Sequence, residues 1–260
     1  STVSNKEMKE FLELADYKLL VLVGDTYQIE SIEFGNWFDT IRGFLPESAI
    51  CELIKPYRSN SKQLQALWDN VRKMEDDILD RLQAGGYSVN LDPSILTPAS
   101  ENEIILCLNY GGLYGINNIN HFMQENNNGK EIRRGIQRYK VGDPILFNDL
   151  ADSFFTKNKE QVPIIHNNMK GRIEDFRLLE AGKVTERIQF DIEIDKPLMN
   201  LDDKDLDFQV IGVSEKGNSI IRFEVYKNKS TDEDDDSVSK NMVPFQIAYA
   251  VSIHKAQGLE

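Results

Sequence analysis

Tyr249-Ala-Val-Ser-Ile-His-Lys-Ala-Gln-Gly-Leu-Glu260 joins an apolar run to a polar, glycine-containing cluster. The apolar part, from Phe245 to Ile253, reads as a strand. Ser252 and His254 carry donors that suit a phosphate oxygen, Gly258 permits close approach of a backbone, and Glu260 can accept from a ribose hydroxyl. A segment so loaded with chemistry, standing last in the sequence, reads as a piece of a longer polypeptide.

Working back from that run, the sequence changes rhythm twice. Val141–Phe147, Gly171–Phe176, Arg187–Ile194, Asp207–Val213 and Ser219–Tyr226 are short, mostly alternating runs separated by turn residues. That pattern predicts a small antiparallel barrel. Asn167 or Asn168, with Gly171, is expected to supply its turns, and Lys170 and Arg172 to place positive charge on a barrel edge. Before residue 138 the order is instead strand and helix in alternation. Lys18–Gly24, Ala49–Ile54 and Glu103–Leu108 read as strands buried on both faces, as in a parallel sheet. Helices are expected over residues 4–15 and 34–44, from Ser59 or Asn60 to about Ala84, and through Ile119, Phe122 and Met123. The simplest layout is a small barrel inserted into an α/β lobe that the chain re-enters at Phe245.

Composition narrows the function. The 260 residues are 40% hydrophobic and 28% charged, with net charge −13. An acidic chain is a poor coat for duplex DNA, but it can grip one strand if the local field in a channel is positive. Asp232–Asp236 is a block of like charge and reads as a solvated loop. Lys130, Arg133, Arg134, Arg138 and Lys140 form a basic stretch that could track a DNA backbone or simply face solvent. Cys51 and Cys107 lie in apolar runs and read as buried, reduced thiols of a cytoplasmic protein. No membrane span or secretory signal is expected. His121 and His166 lack spaced Cys, Asp or Glu partners, so no metal site is expected.

Three segments carry further chemistry. Gly24-Asp25-Thr26-Tyr27-Gln28-Ile29 follows an apolar run, where α/β sheets bind ligands, and a carboxamide such as Gln28 can contact both a phosphate and a water. Ile54-Lys-Pro-Tyr-Arg58-Ser59 offers a guanidinium that can fork onto phosphate oxygens. Leu108–Asn120 is a glycine-rich loop opening a helix, whose backbone N–H groups could hold a phosphate. Each alone is an ordinary turn, a surface arginine or a glycine turn with asparagine capping. No Walker A or dinucleotide fingerprint is present.

Taken together these segments resemble superfamily 1 DNA helicases of the RecD-like or UvrD-like type. Gly24–Gly35 resembles motif III, with Glu30 where many relatives carry proline. Arg58 resembles the motif IV arginine. Leu108–Asn120, Val141–Asn148 and His166–Ile173 resemble the approach to, and the turns of, the barrel inserted in RecD-type enzymes. Ser252–Glu260 resembles motif V, T-x-H-K-[SA]-Q-G-x-E.

The resemblance implies an α/β fold: a RecA-like parallel-sheet lobe of the P-loop NTPase type, interrupted by a small antiparallel SH3-like β-barrel. Residues 1–45 would end a first lobe, 46–138 and 242–260 would form the second, and 139–241 the barrel. It implies ATP and Mg²⁺ as cofactors of a full-length protein, with none bound to this part. Single-stranded DNA is the implied partner, together with other subunits of a repair or recombination complex. Asp25, Gln28, Arg58, Gly258 and Glu260 would face ATP, with Gln28 and Arg58 catalytic. Ser252, His254, Lys255, Asn118, Lys170 and Arg172 would face DNA. The competing expectation is a non-catalytic interaction module with a degenerate ATPase lobe and a partner-binding barrel.

Overall fold

The run read as one strand from Phe245 to Ile253 serves two sheets. In the computed structural model, Phe245–Ile247 (β9) pairs antiparallel with Pro144–Phe147 (β4). Two residues later, Ala250–Ser252 (β10) pairs parallel with Ile105–Cys107 (β1), placing Ile105 opposite Ala250 and Cys107 opposite Ser252. The structure describes residues 3–28, 35–55, 57, 59–90, 92, 96, 103–148, 164–183, 185–198, 208–227 and 242–256. It divides into two compact units, Ser1–Leu91 and Asp92–Glu260.

The larger sheet of the second unit has six antiparallel strands in the order β7-β8-β6-β5-β4-β9. Besides β4 and β9 these are Lys170–Leu179 (β5), Arg187–Ile194 (β6), Gln209–Val213 (β7) and Ser219–Tyr226 (β8). Their alternation puts Ile173, Phe176, Ile188, Phe190, Ile221 and Phe223 into one core. The sheet must curl tightly. Phe190 on β6 and Phe245 on β9 are three strands apart, about 14 Å on a flat sheet, yet their ring centroids lie 5.2 Å apart. Phe223 on β8 and Phe245 are four strands apart and meet at 6.3 Å. Burying such rings contributes about 1.5–3 kcal/mol each, and edge-to-face contacts, such as the 85° pair of Phe190 and Phe245, add to that.

Glycine at 171 is required within the sheet: a Cβ there would sit 2.8 Å from the Glu193 carbonyl oxygen. The residue expected to make a turn is therefore inside β5, and the left-handed turn before it falls at Asn168, φ 67°. The basic stretch, not foreseen as strand, forms a hairpin of Glu131–Arg134 (β2) and Gln137–Lys140 (β3). Helix Ile116–Asn126 (α5) packs against the parallel pair, burying Ile116, Ile119 and Met123 around Cys107 and Ala250. The fold is thus mixed α/β, with a mostly antiparallel six-stranded sheet and a small parallel one.

The described elements of Ser1–Leu91 are all helices. Asn5–Leu14 (α1) starts with a reciprocal cap: Glu7 N–H donates to Ser4 Oγ, and Ser4 N–H donates to Glu7 Oε2 at 2.7 Å. Trp37–Arg42 (α2) follows. The single long helix expected after Ser59 is two, Lys62–Lys73 (α3) and Ile78–Ala84 (α4). Met74 in the left-handed conformation closes the first by donating to the Asn70 and Val71 carbonyls, and the first helix is capped by Ser61.

Two strand expectations are corrected. Lys18–Gly24 and Ala49–Ile54 form no strand, and Leu19, Val23 and Leu53 are 79, 86 and 89% exposed. An apolar run becomes a buried strand only where neighbours supply hydrogen bonds and cover, and among the described residues these runs have neither. Cys51, expected to be buried, is exposed with its run, whereas Cys107 is buried and its thiol pKa is raised by that burial.

Candidate functional site

Because β1 and β10 run parallel, the chain leaves both at the same edge, the carboxyl end where α/β sheets present their chemistry. From β1 it enters the loop Leu108–Gly115 and then α5; from β10 it enters a short turn of helix, Ile253–Ala256 (α6). Gly115 at the start of α5 is fixed by crowding, since a Cβ there would come 2.3 Å from the Gly111 carbonyl oxygen.

The first two amides of α5 are not open to an anion. Ile116 N–H donates to the Asn109 carbonyl at 2.9 Å and Asn117 N–H to the Tyr110 carbonyl at 3.2 Å. The phosphate-holding role expected of those amides is therefore already taken by the loop itself. Asn118 is exposed and donates its Nδ2–H to the Leu113 carbonyl at 2.7 Å. Tyr110, Leu113 and Tyr114 are exposed around it.

On β10, Ser252 is buried and its Oγ accepts from Lys255 N–H at 3.2 Å, capping α6. It serves the backbone in this arrangement. Lys255 Nζ donates to Gln246 Oε1 at 3.0 Å, and His254 is exposed. Ser252, His254 and Lys255 thus share one turn at the same edge of the parallel pair as the Leu108–Gly115 loop.

Two side chains fasten the opposite, amino-terminal end of β10, and neither was singled out in the sequence. Asn120 on α5 donates to the carbonyls of Ile247 (3.3 Å) and Ala250 (3.0 Å), and its Oδ1 accepts from Ala250 N–H at 2.8 Å. It grips the backbone on both sides of the passage from β9 to β10. Asp143, fully buried between β3 and β4, accepts four bonds: from Gln124 Nε2 (2.6 Å), Asn127 Nδ2 (2.8 Å), Lys140 N–H (2.8 Å) and Tyr249 Oη (2.8 Å). Burial first, and the Asp143 carboxylate second, push the Tyr249 hydroxyl well above its ordinary range.

The basic stretch is spent internally. Lys130 Nζ donates to Asp175 at 3.0 Å and lies over the Phe176 ring; Arg133 pairs with Glu131 at 2.7 Å; Arg134 Nε donates to the Tyr226 carbonyl at 2.9 Å. Arg138 meets His121 at 2.8 Å, and Lys140 Nζ donates to the carbonyls of Gln124 and Asn127 at 2.8 and 2.7 Å. Lys170 and Arg172 also depart from expectation: β5 is an interior strand of the sheet, not its edge. There Lys170 lowers the pKa of Asp195 against the larger upward push of burial, and Arg172 stands opposite Glu193 in register.

In the Ser1–Leu91 unit, Asp25 and Gln28 are exposed and bonded to each other's turn. Asp25 Oδ1 accepts from Tyr27 N–H at 3.0 Å, and Oδ2 from Gln28 Nε2 at 3.4 Å. The Arg72 guanidinium lies 4.7 Å over the Tyr27 ring and pairs with Glu52. Those partners, Tyr27 foremost, raise its pKa. Arg58, Gly258 and Glu260, and the acidic run 232–236, lie outside the described residues. Among the described residues no group of His, Cys, Asp and Glu could hold a metal ion, and no helix is long and apolar enough to cross a membrane. No family model, curated protein or solved structure matches the chain.

Proposed function

We propose that this chain is part of an ATP-driven helicase that moves along single-stranded DNA, and that Asp92–Glu260 holds a RecA-like lobe with an SH3-like barrel inserted in it. One observation carries the reading. β1 and β10, far apart in sequence, pair in parallel across a β-rich insert, and the glycine-rich loop and the Ser252-His254-Lys255 turn leave at the same edge. A strand gripped there is within reach of both. His254, exposed on α6, is the foremost DNA-facing group, with Lys255 beside it. Asp25 and Gln28 would turn toward ATP; the phosphate- and Mg²⁺-holding groups of a Walker A loop have no counterpart in the 260 residues.

Fluorescence anisotropy with a labelled dT16 strand tests the reading. The chain binds dT16 with an affinity that falls as salt rises, and replacing His254 and Lys255 by alanine weakens it several-fold and flattens the salt dependence. No binding at low salt, or no effect of the double substitution, rejects it. ATP turnover by this chain alone is expected to be nil, and turnover at helicase rates would overturn the assignment of phosphate chemistry to another segment.

The alternative, a non-catalytic interaction module, is favoured by the internal pairing of the Lys130–Lys140 cations. In an ATP-hydrolysing form of the protein, Arg58→Ala separates the two: loss of DNA-stimulated hydrolysis supports the motor, unchanged hydrolysis the module.

A further inference from the structure

An open hollow of about 360 Å³ lies beside the loop that follows β1, lined by Tyr110, Gly111, Gly112, Asn117, Asn118 and His121. Its lining contains no lysine, arginine, aspartate or glutamate. His121 Nδ1 lies 2.8 Å from Arg138 Nη2, a guanidinium that can only donate, so this ring edge is already engaged. The first two amides of α5, Ile116 and Asn117, donate to the Asn109 and Tyr110 carbonyls. A phosphate would therefore find no lysine or arginine in this lining, and the first two helix-end donors are already spent.

What the hollow offers is different. Tyr110 is 53% exposed and gives a ring face. The two glycines have no side chain to stand over that ring. Asn118 keeps its Oδ1 as an acceptor, since its amide hydrogen goes to Leu113, and Asn117 supplies a second carboxamide. The volume is at the lower end for a small-molecule site, enough for one planar group and too small for a whole nucleoside triphosphate. We infer that this hollow takes one unpaired nucleobase, stacked on Tyr110, with the carboxamides of Asn117 and Asn118 against its polar edge.

The proposal deepens the translocase reading, on which it rests for the source of the base: it assigns this loop to a base, leaving the phosphates to the α6 turn. The same chemistry could come from a free nucleoside, so the test separates the sources. Anisotropy is measured with labelled dT16 and with an abasic 16-mer of the same phosphate count, and unlabelled adenosine is added as competitor, for the wild type, Tyr110→Ala and Tyr110→Phe. The wild type is expected to prefer dT16 over the abasic strand by at least about fivefold, the lower end for one base stacked on an aromatic ring. Tyr110→Ala abolishes that preference without altering the salt dependence; Tyr110→Phe, which keeps the ring, retains it and excludes a folding defect. If both strands bind equally, the base site is wrong and the translocase reading stands. If adenosine binds and neither strand does, the base site stands and the translocase reading fails. If nothing binds, both fail.

Discussion

Asp143 gives the sharpest test of how the second unit is built. Its carboxylate is fully buried and accepts four hydrogen bonds, one from Gln124 of α5, one from the C-cap residue Asn127, one from the end of β3 and one from Tyr249. Hydrogen bonds to a charged group contribute about 1.5–3 kcal/mol each, and their loss leaves the donors buried and unpaired. The terms are not additive, because the donors can partly find water or one another. For Asp143→Ala we expect a loss of about 4 kcal/mol, within the range for stripping one partner from a buried charged network. Asp143→Asn is more informative. One oxygen accepts from Asn127 and Tyr249, the other from Gln124 and Lys140 N–H, so an amide in either orientation sets its NH₂ against two donors. A loss of about 2–3 kcal/mol is expected despite the near-identical shape. Either loss is a large part of a typical ~5–15 kcal/mol total.

The assay is urea unfolding followed by far-UV circular dichroism. Trp37 and Trp68 both lie in Ser1–Leu91, so tryptophan emission serves as an internal control for the first unit. Tyr249→Phe alone should cost about 1 kcal/mol, and combined with Asp143→Asn it should show a coupling of about 1 kcal/mol. A cost below about 1 kcal/mol for Asp143→Ala, or wild-type stability in Asp143→Asn, would refute the claim that this carboxylate ties the insert to the parallel pair.

Three more outcomes follow from the same structure. Asn120→Asp places a carboxylate against the Ile247 and Ala250 carbonyls; hydrogen exchange at the Ala250 amide should accelerate, with about 2 kcal/mol lost, and unchanged protection would exclude the clamp. Tyr139, buried in the aromatic core, has its pKa pushed up to about 12 by burial. Its contribution is therefore intact below pH ~10 and is lost as pH rises toward 12, by about 3 kcal/mol; Tyr139→Phe should remove that part of the alkaline unfolding, and an identical profile would count against it. Arg222 forks onto Asp191 at 2.7 and 2.6 Å across β6 and β8; Arg222→Ala should cost about 3 kcal/mol, whereas replacing both by leucine should cost far less, as urea melts of the two variants would tell.

The β-rich insert was legible because alternation is a local property. Arg187-Ile-Gln-Phe-Asp-Ile-Glu-Ile194 buries Ile188, Phe190, Ile192 and Ile194 on the period that its letters display. The first unit misled for the converse reason. Lys18–Gly24 carries the letters of a buried strand, but burial is conferred by neighbours, and no partner strand stands among the described residues. Met74 breaks the long helix without any glycine to announce it, and the three acidic residues after it were the available hint. At the candidate site the polar letters were readable and the partners were not. Val-Gly-Asp-Pro marks Asp143 as a turn residue, but Tyr249, which bonds it, is 106 residues away.

That distance bears on how the insert could work. An inserted barrel joined by two slack crossings would swing freely against its host. Here neither crossing is slack. The outgoing chain is fastened by Lys140 and Asp143 to the end of α5, and the returning chain by Asn120 to the middle of the same helix, with Tyr249 reaching back to Asp143. α5 also packs on β10 and opens from the glycine-rich loop. A displacement of the six-stranded sheet would therefore pull on α5, and through it on the Asn117–Asn118 end, before it could open any gap at the root.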